Sequence, residues 1–283
     1  MTSTHRQRRR LVGSVNEFTA LHHAGRPLLL PNAWDHASGA ALVAQGFPAL
    51  GTTSLGVAAA AGLPDGVGVT REETVALARR LVTLPCLLTV DIETGFGDEP
   101  GEVAVLTGEL AGMGVTGVNL EDALGDVGRQ CELIAAAKTS GLFVNARTDT
   151  HWLKPDGVDL DAEALRRAQS YVDAGADGIF IPGMTGESSI ALAVREIPVP
   201  LNILYSPAGP GFARLAELGV GRVSCGSLLF RAALDAAVRV AAAVAAGEPV
   251  AADIISYAEV AGFSTRWDNA VSKSSPASFG SRR

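Results

Sequence analysis

Leu87-Leu88-Thr89-Val90-Asp91-Ile92-Glu93 is an apolar run that ends in carboxylates, and Gly117-Val118-Asn119-Leu120-Glu121-Asp122 repeats the plan. A short aliphatic run closing on polar side chains reads as a buried strand that delivers chemistry at its C-terminal end. Six further segments share the pattern: 27–35, 49–54, 142–149, 178–183, 200–206 and 222–227. Between most of them lie stretches rich in Ala, Leu, Glu and Arg with helical spacing, as in 71–81, 162–174 and 211–218. Strands alternating with helices in this way make parallel βαβ units. Gly46, Gly114, Gly175 and Gly219 each stand just before a strand, where a left-handed residue ends the preceding helix. Eight such units predict an α/β fold, a (β/α)8 TIM barrel, with extra C-terminal helices over 228–246 and around 252–260. The competing doubly wound sheet is disfavoured because no Gly-x-Gly-x-x-Gly follows the first run.

Composition fits one large domain. The chain has 283 residues, 47% of them hydrophobic, close to the ~250 residues such a barrel takes. The expected boundaries are a disordered basic tail over 1–15, a single domain over 16–263, and a disordered Ser-rich tail over 264–283. A net charge of −7 provides no positive field for nucleic acid or an acidic membrane. Asp235 and Arg239 interrupt the Ala-rich 232–247 stretch, so no membrane span is expected. Cys86, Cys131 and Cys225 are too few and too scattered for a disulfide framework, which suits a reducing cytoplasm. Lys138, Lys154 and Lys273 are the only lysines, none at an inward strand end, so Schiff-base chemistry is disfavoured. The five histidines form no zinc motif.

In a (β/α)8 barrel the strand C-termini form the active-site mouth. Asp91 and Glu93 lie two apart, a spacing that on a strand places both side chains on one face. Glu121 closes the next strand. Three anions gathered there repel each other strongly unless a cation or protons offset them. Magnesium suits them because it takes oxygen ligands and leaves positions for water and substrate. Arg147 ends the fifth run and can either grip a substrate carboxylate by paired hydrogen bonds or form a structural salt bridge to Glu121 or Asp149. The Ser54-Leu55-Gly56 turn can either cradle an oxyanion or simply connect strand to helix.

These motifs resemble the isocitrate lyase/phosphoenolpyruvate mutase superfamily over about 28–229. The segment from Ser54 to Gly62-Leu63-Pro64-Asp65 resembles its second-strand loop, and Asp91-Ile92-Glu93-Thr94-Gly95-Phe96-Gly97 its Asp-x-Asp-Thr-Gly-Phe-Gly signature, with Glu for the second Asp. Asn119-Leu120-Glu121-Asp122 and Asn145-Ala146-Arg147-Thr148-Asp149 resemble the next two strand ends. The resemblance implies that Asp91 binds Mg2+ directly, and Glu93 and Glu121 through water. It implies that Arg147 and the Ser54-Leu55-Gly56 backbone hold a small 2-oxo acid, with Trp34, Asp65 and Asn202 lining the pocket. Arg147, Glu121 and Asp65 are the expected catalytic residues, serving enolate stabilisation, and a homodimer or homotetramer is expected.

The departure lies in the loop after Glu121-Asp122. Lyases of the superfamily carry Lys-Lys/Arg-Cys-Gly-His there, whereas this chain reads Ala123-Leu124-Gly125-Asp126-Val127-Gly128-Arg129-Gln130-Cys131. Cys131 is therefore expected to be buried on a helix rather than to act as acid or base. The phosphonomutase lysine and asparagine are also missing. These features favour a magnesium-dependent carbon–carbon lyase or decarboxylase acting on an oxaloacetate-like acid. The alternatives are phosphonopyruvate-type mutase or hydrolase chemistry, and a 2-oxo acid binding protein without turnover.

Overall fold

The computed structural model describes residues 14–97, 99–251 and 253–263. Nine short parallel strands carry the fold: β1 Leu28–Leu30, β2 Asn32–Ala33, β3 Ala49–Thr52, β4 Leu87–Asp91, β5 Gly117–Glu121, β6 Phe143–Arg147, β7 Gly178–Phe180, β8 Leu201–Leu204 and β9 Arg222–Ser224. Helices accompany them in turn: α1 Val15–Leu21, α2 His36–Ala44, α3 Ser54–Ala61, α4 Arg71–Leu81, α5 Pro100–Met113, α6 Val127–Lys138, α7 Thr150–Leu153, α8 Leu160–Asp173, α9 Glu187–Glu196, α10 Phe212–Glu217, α11 Leu228–Ala246 and α12 Tyr257–Gly262.

The first of the eight expected strands is split. Leu28–Leu30 pair with Arg222–Ser224 on one side, and Asn32 and Ala33 pair with Gly51 and Thr52 on the other. Pro31 lies at the break; it has no N–H to donate to a ladder, but its carbonyl accepts from Gly51 N at 2.9 Å. The two halves together close a (β/α)8 barrel. The helix-ending glycines behave as expected, Gly114 and Gly175 both having φ +102°, a conformation that costs a residue with a Cβ.

Strand residues alternate between two cores. Leu88, Val90, Val118, Leu120 and Val144 face outward and pack with Leu77, Leu81, Leu106 and Leu110 of the surrounding helices. Inside the barrel, Leu28, Leu30, Ala49, Leu87 and Phe143 form a floor capped by Phe18 of α1. Burying each large aliphatic side chain contributes about 1.5–3 kcal/mol. Val15, expected in the tail, begins α1 instead, with Ser14 as its N-cap, because Ser14 and Glu17 cap each other's backbone N–H groups. The rest of the expected basic tail, and the 264–283 tail, lie outside the described residues. The last helix starts later than the sequence suggests, after another capping box between Ser256 and Glu259. Among the described residues no helix is long and apolar enough to cross a membrane.

Candidate active site

At the mouth, Ser54, Leu55, Asp65, Asp91 and Arg147 share the wall of one cavity of about 130 Å3. Asp91 is the last residue of β4; its backbone N–H donates to Thr52 Oγ1 at 2.8 Å. Burial pushes its carboxyl up from the usual range, opposed by Arg147 and by N–H groups of Glu93 and Ser54, while Asp65 adds repulsion. Glu121 ends β5 with Oε2 2.5 Å from Arg147 Nη1. Its carboxyl is also pushed up, first by burial and then by Asp91, Asp149 and Glu93, with Arg147 pulling the other way.

Arg147 donates through Nε to Asp149 Oδ1 at 2.7 Å, and its guanidinium lies 5.9 Å from the centre of the Phe180 ring. The two readings of Arg147 thus coexist geometrically, since it makes both ion pairs while still lining the cavity. Asp149 is in turn held by Asp122, whose Oδ1 accepts from Asp149 N at 3.0 Å and Leu124 N at 3.0 Å. Asp122 Oδ2 receives Arg167 Nη1 at 3.0 Å and the Tyr171 hydroxyl at 2.7 Å.

Glu93 does not face the cavity. β4 ends at Asp91, and Glu93 lies in the following turn with φ +49°, so strand alternation no longer governs its direction. Its carboxylate accepts from Thr70 Oγ1 at 2.5 Å and Gly68 N at 3.0 Å, and the residue is 1% exposed. It braces the loop that carries Asp65. Trp34, Gly56 and Asn202 also lie off the cavity wall, and so does Glu121, which stands behind it and reaches it through Arg147. Trp34 packs edge-on to Phe230 at 5.4 Å, and a Cβ on Gly56 would sit 2.9 Å from Trp34 Cβ, so this glycine permits a close approach. Asn202 accepts from Ser224 Oγ inside the barrel. Cys131 lies on α6 with Sγ 3.4 Å from the Ser170 carbonyl of α8, remote from the cavity lining, and its thiol is pushed up by burial.

The remaining wall was not foreseen. Trp152, Phe180, Pro182 and Leu204 give it an apolar flank, and Asn32, Asn119, Ser224 and Ser227 a neutral polar one. Asn119 had a usable signal: it precedes Glu121 by two on the same strand and so shares its face. In the apolar flank, Phe180 and Leu204 share the strand-end signal, being the last residues of β7 and β8, whereas Trp152 in α7 and Pro182 in the loop after β7 have none.

The donor chemistry fits magnesium. Asp91 and Glu121 are two desolvated oxygen donors, Asp91 raising the proton affinity of Glu121, and one guanidinium faces Glu121, Asp149 and Asp91 together. A hard divalent ion offsets such an excess and needs only one or two protein carboxylates. Among the described residues no three His, Cys, Asp or Glu side chains are gathered as a ready cage, so substrate and water oxygens would complete the coordination.

Comparison with known proteins bears on this geometry. The family model described as phosphoenolpyruvate phosphomutase matches residues 18–245. An uncharacterised protein of Mycobacterium tuberculosis is 43% identical over 249 residues, 86% of this chain and 94% of its own. Oxaloacetate decarboxylase of Pseudomonas entomophila is 32% identical over 195 residues, 61% of this chain and 64% of its own. A crystal structure of phosphonopyruvate hydrolase with oxalate and Mg2+ shares the fold, with TM-score 0.78 at 23% identity, covering 92% of this chain and 98% of its own.

Proposed function

Because the chain belongs to the phosphoenolpyruvate phosphomutase family, within the isocitrate lyase/phosphoenolpyruvate mutase superfamily, we propose that it is a magnesium-dependent enzyme that breaks a carbon–carbon bond beside a 2-oxo acid, with decarboxylation of an oxaloacetate-like substrate as the reaction. The observation that carries this reading is the buried Asp91–Arg147–Glu121 constellation beside a cavity sized for a small acid. Arg147 grips the substrate's 1-carboxylate. Asp91 and Glu121 hold the ion, Glu93 keeps the neighbouring loop in place, and the Ser54 and Leu55 backbone orients the keto group. The ion, when bound, supplies Lewis acidity toward the 2-oxo group. The C3–C4 bond breaks, its electron pair passes to the C2 oxygen as CO2 departs, and the enolate takes a proton at C3 to give pyruvate.

Three features favour decarboxylation over the other chemistries of relatives. Arg147 is the one cation among the described residues lining the cavity, whereas a phosphonate calls for more positive charge. The apolar flank suits departing CO2, and Cys131 lies away from the site, leaving no thiol to exchange protons in a retro-aldol step. The exposed apolar side chains of α11, among them Leu234, Val238 and Val244, support assembly into a homodimer or homotetramer. Purified protein with magnesium and oxaloacetate should release pyruvate faster than an Asp91→Ala variant. Equal rates would discard the decarboxylase reading.

A further inference from the structure

Arg222 crosses the barrel interior from β9. It is fully buried, and its Nη2 donates to Asn119 Oδ1 on β5 at 3.2 Å. No carboxylate pairs with it, its Nε and Nη1 having no partner among the described residues. The same Asn119 oxygen receives Asn145 Nδ2 at 2.9 Å. A guanidinium has donors and no acceptor, so the Asn119 atom facing it must be the carbonyl oxygen. The amide is thereby locked, with its NH2 turned away from Arg222. Asn119 is 6% exposed and lines the active-site cavity, and no described residue accepts from its Nδ2. In the β4–β5 register Asn119 stands directly beside Asp91.

We infer that Asn119 Nδ2 is a substrate-binding donor to the oxyanion of the 2-oxo acid, and that Arg222 is the positioning residue that aims it. This rests on the 2-oxo acid reading above. A donor held in place before the reaction costs no reorganisation when negative charge develops on the C2 oxygen. The positive charge behind the amide oxygen also polarises its N–H groups toward the cavity. An asparagine placed only for packing would not need its orientation fixed by a buried cation.

The test uses oxalate as an enolate-shaped probe, titrated calorimetrically with magnesium present, on the full chain. The double variant Asn119→Leu/Arg222→Met removes amide and buried charge together and keeps apolar volume, so it is expected to fold with a melting temperature close to the parent's. Its oxalate affinity should fall at least about tenfold, the scale of one hydrogen bond to a charged group. Arg222→Met alone leaves the amide held only by Asn145 and without the charge behind it; its kcat on oxaloacetate should drop while KM changes little, a split that a purely structural loss would not give. A crystal soaked with magnesium and oxalate should place Nδ2 within hydrogen-bond distance of a ligand oxygen. If the parent binds oxalate and the double variant binds it as tightly, or if the soaked crystal shows the amide reversed, the inference fails while the 2-oxo acid reading stands. If the parent binds no oxalate at all, both fall.

Discussion

Glu121 and Asp122 are neighbours in the chain, both buried and both beside an arginine, yet they meet opposite fates. Asp122 has four donors, from Leu124 N, Asp149 N, Arg167 and Tyr171, and its side chain is fully buried. Glu121 has Arg147, which it shares with Asp149 and Asp91, and its carboxyl is pushed up. A fully satisfied carboxylate holds structure together; one left short of donors and crowded by other anions is available to a ligand. The cavity follows that division, since Asp122 anchors Asp149, Asp149 holds Arg147, and Arg147 lines the wall.

Substitutions should separate the two roles. The largest expected effect is on turnover: Asp91→Ala should lower oxaloacetate decarboxylation by about a thousandfold, because several kcal/mol of charge stabilisation go with the ion's ligand, while circular dichroism stays native. Arg147→Met should lower kcat/KM by roughly a hundredfold. Asp122→Ala should act on stability instead, destabilising the fold by about 3 kcal/mol in urea titrations because it removes the shared acceptor of Arg167, Tyr171 and two backbone N–H groups, Glu163 remaining as the other partner of Arg167. If Asp122→Ala melted like the parent, the contrast between the two acids would break.

A smaller effect concerns pH. A carboxyl whose folded proton affinity exceeds its unfolded one stabilises the fold below its unfolded pKa, and that contribution is lost as pH rises through the folded value. For Glu121 the window runs from the ordinary value of 4.5 up to about 8. Without magnesium, the parent should therefore lose stability relative to Glu121→Gln as pH rises from about 5 to about 8, and magnesium should flatten the difference. The buried His22, pushed down to about 3 chiefly by burial, acts in both proteins alike and destabilises them as pH falls below its ordinary value, so it cancels from the comparison. A difference in melting temperature that stays constant with pH would show that Glu121 is not strained. The smallest effect is expected for Cys131→Ser, with turnover unchanged within about twofold because the thiol lies between α6 and α8.

The strand ends at Asp91, Glu121 and Arg147 were legible because alternation and the barrel topology together fix which residues reach the mouth. Strand alternation does not set the direction of Glu93, because the strand stops two residues earlier and no local pattern marks where a ladder ceases. Trp34 and Asn202 were carried from a resemblance and lie on packing and interior positions here.

Local sequence determined what local physics can express: parallel units from apolar runs and helical spacing, helix ends from glycine, and acidic strand ends from their spacing. Tertiary structure alone decided which of two adjacent acids has its hydrogen bonds filled, how one guanidinium is shared among several carboxylates, and which way the Asn119 amide turns. Those outcomes depend on side chains far apart in the chain, Arg222 and Asn119 among them, meeting in a low-dielectric interior where each missing partner carries a large cost.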